Sequence, residues 1–229
     1  MRNAKEPEEL LNLVHSLFES NEDLDLVLVG GLAAQGVYNA CDRWVRRTSD
    51  IDILARSRED AEELVRRMKE SGYETFYNER LDKYSVFKHE EGIHIDIYPG
   101  KIGKYSLEGR RVLDINGLRV LSPEDLIGVK IYAYLTAERG NKKHLIDIYT
   151  IIIGKYEIDL DYLLEEVIPY VSKITGLSKK EIIKRMYDEK ALDQFRPKER
   201  RFIREEYKRI VDYFNKRKSV KYITSAVNG

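Results

Sequence analysis

The chain lacks the features that mark extracellular and membrane proteins. Cys41 is the single cysteine among 229 residues, so no disulfide can form within the chain, as suits a reducing cytosol. No apolar run approaches the roughly 18 residues that span a bilayer, and the first residues lack the apolar segment of a signal peptide. We therefore expect a cytoplasmic protein without a membrane partner.

The chain also has no net charge, although charged residues make up 35% of it. Forty Lys and Arg residues balance forty Asp and Glu residues, so overall charge gives no argument for nucleic acid or membrane binding. The motifs G-x-x-x-x-G-K-[ST] and G-x-G-x-x-G are absent as well, and P-loop and Rossmann folds therefore lack their signature. The length allows one large domain or two small ones.

Hydrophobic periodicity predicts an α+β part followed by a helical part. The predicted strands are 26–29, 50–54, 73–77, 84–88, 93–98 and two short strands around Asn116-Gly117. The predicted helices are 7–20, 30–40, one between Ser57 and Gly72, 123–138, 142–153, 159–173, 178–187 and 197–216, with a loose tail at 222–229. We expect a mixed sheet flanked by helices over residues 1–121 and a C-terminal helical bundle over residues 122–229, although no linker marks this boundary.

Gly30 and Gly31 join the first predicted strand to the helix that follows it. A glycine pair lets the backbone approach a ligand closely, and the unbonded N–H groups at a helix start can face an anion. The pair therefore predicts a phosphate contact. The alternative is an ordinary strand-to-helix turn.

Three aspartates occupy alternating strands. Asp50 and Asp52 alternate with Ile51 and Ile53, so both carboxylates share one face of their strand. Adjacent carboxylates repel each other, and a divalent cation would neutralise them. Asp96 lies in a second alternating strand, and if the two strands are neighbours the three carboxylates converge on two Mg²⁺ ions that bridge a nucleoside triphosphate. The alternative is an edge strand with a solvated acidic face.

The order of these motifs resembles the polymerase-β type of nucleotidyltransferase. The chain has Gly30-Gly31, then the string R-x-T-x-D-I-D-I from Arg46 to Ile53, then Asp96. Within that superfamily the string is most similar to the AbiEii-type family, the toxin components of prokaryotic toxin–antitoxin systems. The resemblance covers roughly residues 24–153 and continues in a helical segment through Pro123, Glu124, Asp125, Leu126, Lys130, Arg139, Lys142, Lys143 and Asp147. His144 departs from the pattern, because the family has an aspartate there.

The resemblance implies Mg²⁺-dependent transfer of a nucleoside monophosphate from an NTP to an acceptor hydroxyl, with pyrophosphate as the leaving group. Asp50, Asp52 and Asp96 are then the catalytic residues and the ligands of two Mg²⁺ ions, and Asp96 also activates the acceptor. The implied nucleotide-binding residues are Gly30, Gly31, Thr48, Lys130, Lys143 and Asp147. The acceptor is an RNA or tRNA end, a protein side chain or a small molecule, and an antitoxin protein is an expected partner.

Other functions fit the same residues. His144 favours a nucleotide-binding or regulatory protein with little catalysis, a small-molecule transferase of the antibiotic-modifying kind would use the same fold, and the glycine turn disfavours a nuclease. Residues 196–221 hold eleven Lys and Arg against four acids, which suits RNA backbone contact or a solvated helix equally well.

Individual site residues have structural alternatives too. Lys130 is either a triphosphate contact or an exposed lysine with a buried stem. Asp147 is either a site residue or an acid stabilised by the helix dipole. His94 shares a face with Asp96, and a hydrogen-bonded structural role is favoured for it.

Overall fold

The computed structural model describes residues 7–137 and 141–227, so that the predicted helix end near Glu138 and Gly140, and the family-like Arg139, lie outside the described residues. The strands are β1 (Leu26–Val29), β2 (Ile51–Ala55), β3 (Glu74–Asn78), β4 (Lys83–Lys88), β5 (Ile93–Pro99), β6 (Lys101–Ile102), β7 (Tyr105–Ser106), β8 (Val112–Ile115) and β9 (Leu118–Leu121).

The α-helices are α1 (Pro7–Glu19), α2 (Gly30–Leu32), α3 (Arg58–Glu70), α4 (Pro123–Thr136), α5 (Lys143–Ile152), α6 (Leu160–Tyr162), α7 (Ile168–Thr175), α8 (Lys179–Arg185) and α9 (Pro197–Val227). α2 continues directly into a π-helix over Ala33–Tyr38, and α6 reaches α7 through a π-helix over Leu163–Val167. Short 3₁₀ helices span His89–Glu91 and Glu189–Gln194.

The main sheet is mixed, and within the described residues it has seven strands in the order β3-β4-β5-β2-β1-β9-β8. β2 pairs with β5 in parallel and with β1 in antiparallel orientation. The predicted α+β class, a mixed sheet flanked by helices and followed by a helical part, is confirmed. The sheet order makes the strand that carries Asp96 a direct neighbour of the strand that carries Asp52.

Local sequence signals explain where several elements begin. The Ser57 hydroxyl accepts a hydrogen bond from the Asp60 N–H at the start of α3, and Ser122 does the same for Asp125 at the start of α4. Asn116 forms the turn between β8 and β9 with a φ of 55°, in the left-handed region where asparagine is tolerated. The predicted turn at Asn116-Gly117 is confirmed, and α3 and α4 each begin at a serine cap.

One face of the sheet is covered and the other stays polar around β2 and β5. Helix α3 buries Ala61, Leu64 and Met68, and it packs along β2, β5 and β4. The isoleucines of β2 and β5 are buried. Because side chains alternate along a strand, Asp52 and Asp96 point to the face opposite these isoleucines.

The helical part differs from prediction in two places. The helix predicted over 159–173 contains the π-helix before α7, because Pro169 has no backbone N–H to donate to residue 165. The loose tail predicted to begin at Tyr222 is wrong, since α9 continues to Val227. The helix therefore extends beyond the predicted end at Lys216.

The buried apolar side chains form one cluster that extends from Leu10 on α1 to Ile210 on α9. The division at residue 121 stays a prediction, and the cluster contains side chains from both sides of it. Among the described residues, no helix combines the length and the apolar character needed to cross a membrane.

Candidate active site

The predicted aspartates lie together at the start of β2 and the middle of β5. Asp52 is the direct cross-strand partner of Asp96, and Asp50 precedes β2 by one residue. His94 links Asp50 to Asp96, because its Nδ1 lies 3.4 Å from Asp50 Oδ1 and its Nε2 lies 3.1 Å from Asp96 Oδ1. Asp96 is buried, whereas Asp50 and Asp52 are half-buried. The carboxylates therefore share one face of the sheet, as predicted.

Asp50 and Asp52 form the D-x-D pair, and the pKa values of their carboxylates are shifted in opposite directions. Burial raises the pKa of Asp52, and although Lys130 opposes this effect, the charges of Asp96 and Asp50 add to it. The hydrogen bond from His94 lowers the pKa of Asp50, which also accepts a 2.6 Å hydrogen bond from the Ser49 hydroxyl. Asp52 is thus the carboxylate that a nearby cation would stabilise most.

Asp96 is surrounded by donors. The Ser85 hydroxyl donates to Asp96 Oδ1 at 2.6 Å, and the Lys83 ammonium forms an ion pair with Oδ2. Burial raises the pKa of Asp96, but His94, Lys83 and Ser85 outweigh it and hold the pKa at about 2. Asp50 and then Asp96 raise the pKa of His94 to about 9. Asp96 and His94 therefore form a charged pair at neutral pH.

The donor set suits a hard cation at the D-x-D pair. Asp50 and Asp52 offer the carboxylate oxygens that Mg²⁺ prefers, and a cation would offset the burial and the neighbouring negative charges that raise the pKa of Asp52. Nowhere in the described ranges, 7–137 and 141–227, are three or more His, Cys, Asp or Glu side chains already grouped to hold a metal ion. The third carboxylate, Asp96, is instead engaged by Lys83, Ser85 and His94.

Both glycines of the turn face the site so closely that no side chain fits. Gly30 has a φ of +74°, and a Cβ there would lie 1.9 Å from Asp52 Oδ2. A Cβ on Gly31 would lie 2.5 Å from Arg46 Nη2 and 2.8 Å from Thr48 Oγ1. The glycine pair is therefore packed directly against the D-x-D strand and the loop before it, and is more than an ordinary turn.

A second charged cluster is centred on Asp147 of α5, which is fully buried. Its Oδ2 lies 2.7 Å from Lys130 Nζ and 2.5 Å from Arg46 Nη2, and its Oδ1 accepts from Arg46 Nε at 2.6 Å. Burial raises the pKa of Asp147, but Lys130 and Arg46 outweigh this and lower it below its ordinary value. This cluster fastens α4, α5 and the loop before β2 to one another.

Gln35 completes this cluster from the helical segment that follows the glycine pair. Its Nε2 donates to Asp147 Oδ1 and to Thr150 Oγ1, both at 3.1 Å. Its Oε1 accepts from the Val45 N–H at 3.1 Å. The glycine turn, the loop and α5 are therefore held in a fixed relation by one buried amide.

His144 lies one helical turn before Asp147. Its Nδ1 is buried and has no hydrogen-bond partner within the part of the chain that the structure describes. Burial, followed by the charges of Lys130 and Lys143, lowers its pKa to about 4. Where the AbiEii-type pattern has an aspartate, this chain therefore carries a neutral imidazole in place of a negative carboxylate.

The predicted site residues are buried or half-buried, with the exception of Lys143. Lys130 is 5% exposed, so the alternative of an exposed lysine is wrong, and the buried Asp147 is likewise more than a surface helix acid. Lys143 is exposed at the first residue of α5. Within the basic segment 196–221, ion pairs with acids of this chain are formed by Arg196, Arg201, Arg204, Arg209 and Arg217. This favours the solvated-helix interpretation of that segment.

Sequence reasoning missed Lys83, Ser85 and Gln35. A signal was present for the first two, since both alternate with the buried Val86 in β4 and so face the same side of the sheet. Gln35 had no such signal, because an amide in a helix next to apolar residues gives no indication of its distant partners.

Known proteins with similar structures were found at low sequence identity. Two solved structures share the fold: a putative nucleotidyltransferase from H. pylori (17% identity, 94% of this chain and 98% of that chain, TM-score 0.54) and JHP933 from Helicobacter pylori (17%, 97% and 96%, TM-score 0.52). MenT4, a nucleotidyltransferase toxin from Mycobacterium tuberculosis, has 13% identity over 91% of this chain and 92% of its own, with a TM-score of 0.48.

No curated protein matches the chain in a sequence comparison. The family model described as "Uncharacterised nucleotidyltransferase" matches residues 2–172, which is most of the chain and includes the glycine pair, all three aspartates, Lys130 and Asp147. The chain therefore belongs to this nucleotidyltransferase family.

Proposed function

We propose that this protein transfers a nucleoside monophosphate from an NTP to an acceptor hydroxyl, by in-line attack on the α-phosphate with pyrophosphate as the leaving group. The observation that carries the proposal is the packing of Gly30 against Asp52, with Asp96 opposite Asp52 in the next strand. A turn without side chains lets the backbone of the glycine pair lie next to the paired carboxylates, beside the place where a cation and its triphosphate would bind.

Asp50 and Asp52 are the proposed Mg²⁺ ligands. Their carboxylates are hard oxygen donors, and burial, together with the charges of Asp96 and Asp50, raises the pKa of Asp52, an effect that a bound cation would oppose. Mg²⁺ bound there supplies electrostatic stabilisation of the triphosphate and of the attacking oxygen. Gly30, Gly31 and Thr48 then line the phosphates, and Lys130, held in place by Asp147, contributes positive charge.

Asp96 is the proposed acceptor-side carboxylate, and Lys83 restrains it. A carboxylate with a pKa of about 2 has low proton affinity, so it is a weak general base in the described conformation. Asp96 therefore needs Lys83 to move away before it can accept the proton of the acceptor hydroxyl or ligate a second Mg²⁺. His94 stays in contact with both Asp50 and Asp96 and keeps the two carboxylates oriented.

The test is transfer of label from each of the four NTPs, in the presence of Mg²⁺, to total tRNA or to protein. Wild type should label an acceptor that the Asp50→Ala, Asp52→Ala double variant does not label. Asp212→Ala, which changes an exposed aspartate of α9, is the control and should label like wild type. Equal labelling by wild type and the double variant would rule out this site as the source of activity.

A second candidate function is nucleotide binding with little turnover. The Lys83–Asp96 ion pair favours it. So does the neutral His144, which stands where the AbiEii-type pattern has an aspartate. Calorimetry separates the two functions, since Mg²⁺-dependent NTP binding without formation of pyrophosphate supports the second. Transfer to a small antibiotic-like acceptor remains a third use of the same groups, and adding such acceptors to the labelling assay tests it.

The AbiEii-type assignment and a toxin role belong to this proposal. Their support is the string from Arg46 to Ile53, in which Arg46 and Thr48 both lie against Gly31. A neighbouring gene that encodes a small DNA-binding protein, and whose expression relieves growth arrest by this protein, is the expected finding. Unimpaired growth when the protein is expressed alone would refute the toxin role.

A further inference from the structure

A groove on the open face of the sheet carries exposed aromatic rings. Its volume is about 700 Å³, and its lining includes Phe76, Asn78, Glu79, Ser85, Phe87 and His89 of β3, β4 and the turns beside them. Phe76 is 58% exposed. A single exposed apolar side chain is ordinary, but Phe76 is exposed together with Tyr77 and Leu81, and such a cluster beside a groove marks a candidate binding surface.

The rings form an ordered surface. The Phe87 ring is stacked on His89 at 5.4 Å between centroids and on His94 at 4.5 Å, and in both pairs the planes differ by 9°. Phe76 meets Phe87 edge to face at 5.9 Å. We call the rings of Phe76, Phe87 and His89 the aromatic shelf. Because its rings support one another, the shelf can receive a flat ligand without reordering.

The groove is continuous with the proposed site. Ser85 lines the groove and donates a hydrogen bond to Asp96, and His94, on which Phe87 is stacked, contacts both Asp96 and Asp50. The shelf therefore lies on the acceptor side of the carboxylates, next to the one proposed to activate the hydroxyl.

We propose that the aromatic shelf is the acceptor subsite and binds the terminal nucleobase of a single-stranded RNA. This inference rests on the proposed function. A nucleobase stacks on an aromatic ring whatever its sequence, and its sugar carries the hydroxyl that must reach Asp96. Glu79 is the one carboxylate among the lining residues named above, and Glu74 beside the shelf lies 3.7 Å from His89, so the groove offers few free carboxylates to a polycationic small molecule. Asn78 and Ser85 can hydrogen-bond the base edge.

The experiment measures binding separately from catalysis. A fluorescein-labelled single-stranded oligoribonucleotide with a free 3′ hydroxyl is titrated with full-length protein without NTP, and anisotropy reports the Kd. Phe76→Ala should weaken binding by about tenfold, the order expected for loss of one base-stacking contact. Phe76→Trp should restore it. Phe202→Ala is the matched control, because Phe202 is a similarly exposed phenylalanine, 46% accessible, on α9.

The outcomes separate the subsite from the catalytic proposal. Equal Kd values for Phe76→Ala, Phe202→Ala and wild type would overturn the subsite, as would tighter binding of a blunt duplex of the same sequence. Binding of an antibiotic-type polyamine or an unstructured peptide, but not of the oligoribonucleotide, would overturn it as well. Loss of binding in Phe76→Ala with no NMP transfer by wild type would refute the enzyme and leave the subsite standing. If Phe76→Ala transfers NMP to the acceptor as well as wild type does, the proposed enzyme activity stands and the subsite is refuted.

Discussion

At the scale of single residues, the site depends on one glycine, three carboxylates and the groups that surround them. Gly30 makes room for Asp52, while Lys83, Ser85 and His94 fix the charge and orientation of Asp96. Each of these contacts depends on one side chain, or on one missing side chain, of α2, β4 or β5. Single substitutions therefore test them directly.

Replacing Gly30 by alanine should disrupt both the backbone and the site. The positive φ disfavours any L residue, and the new Cβ would overlap Asp52 Oδ2, so we expect a loss of about 3 kcal/mol in the free energy of unfolding, and loss of activity. Gly109→Ala is the control, because Gly109 has a φ of +71° with open space around it and should lose only about 1–2 kcal/mol. Denaturant titration measures both, and equal losses would contradict the steric argument.

Replacing Lys83 by methionine should destabilise the protein, because Asp96 would keep its burial but lose an ion-pair partner. We expect a loss of about 1–3 kcal/mol at pH 7. The folded-state pKa of Asp96 is about 2, below its ordinary value of 3.8, so its stabilising contribution is present above pH 4 and lost as the pH falls toward 2. The difference between wild type and variant should shrink over the same range, as unfolding at pH 7, 4 and 2.5 would show. A constant difference would mean that Lys83 stabilises the fold in another way.

At the scale of secondary-structure elements, the site is built where β1 ends and β2 begins, with β5 beside it and α4 and α5 behind. Alternation predicted correctly that Asp50, Asp52 and Asp96 face one way, because that depends only on the geometry of each strand. The register that sets Asp52 opposite Asp96 could not be predicted from the sequence, because β3 and β4 lie between β2 and β5 in the chain and their pairing decides it. The Lys130–Asp147–Arg46 cluster was out of reach for the same reason: its members are distant in sequence and meet only after α4 and α5 pack.

Replacing Asp147 by alanine should loosen α4 and α5, because Lys130 and Arg46 would keep their buried charges without a counter-charge. We expect a loss of about 3–5 kcal/mol in the free energy of unfolding. Asp161→Ala is the matched control: it also removes an arginine partner, but at an exposed ion pair, which contributes little. If denaturant titration gives similar losses for the two variants, the buried Asp147 cluster stabilises the fold no more than the exposed ion pair of Asp161 does.

At the scale of the whole molecule, one buried cluster links the sheet to the helices from α1 to α9. The side of the sheet that carries the carboxylates of β2 and β5 also carries the aromatic shelf, and the buried glycine pair packs against Asp52. Binding of NTP and acceptor on this one face would bring the two substrates together without a large rearrangement of the fold.

The stability of the whole protein should depend on pH through His144. Its folded-state pKa is about 4, below its ordinary value of 6.5, so the unfolded chain binds more protons between these values. Stability should therefore fall as the pH drops from 6.5 to 4, and His144→Gln should flatten that part of the curve. Unfolding measured at half-unit steps tests this, and an unchanged slope in the variant would show that other groups cause the dependence.

The most direct measurement of the central claim compares the α- and γ-phosphates as the source of label. Purified protein, Mg²⁺ and acceptor RNA are incubated with α-labelled or γ-labelled NTP, for wild type, Asp52→Asn and Asp212→Asn. We predict that label from the α-phosphate alone enters the acceptor, that Asp52→Asn reduces this transfer at least about a hundredfold, as removal of a group that stabilises transition-state charge commonly does, and that Asp212→Asn does not. Transfer of the γ-label, or equal transfer by wild type and Asp52→Asn, would contradict the account.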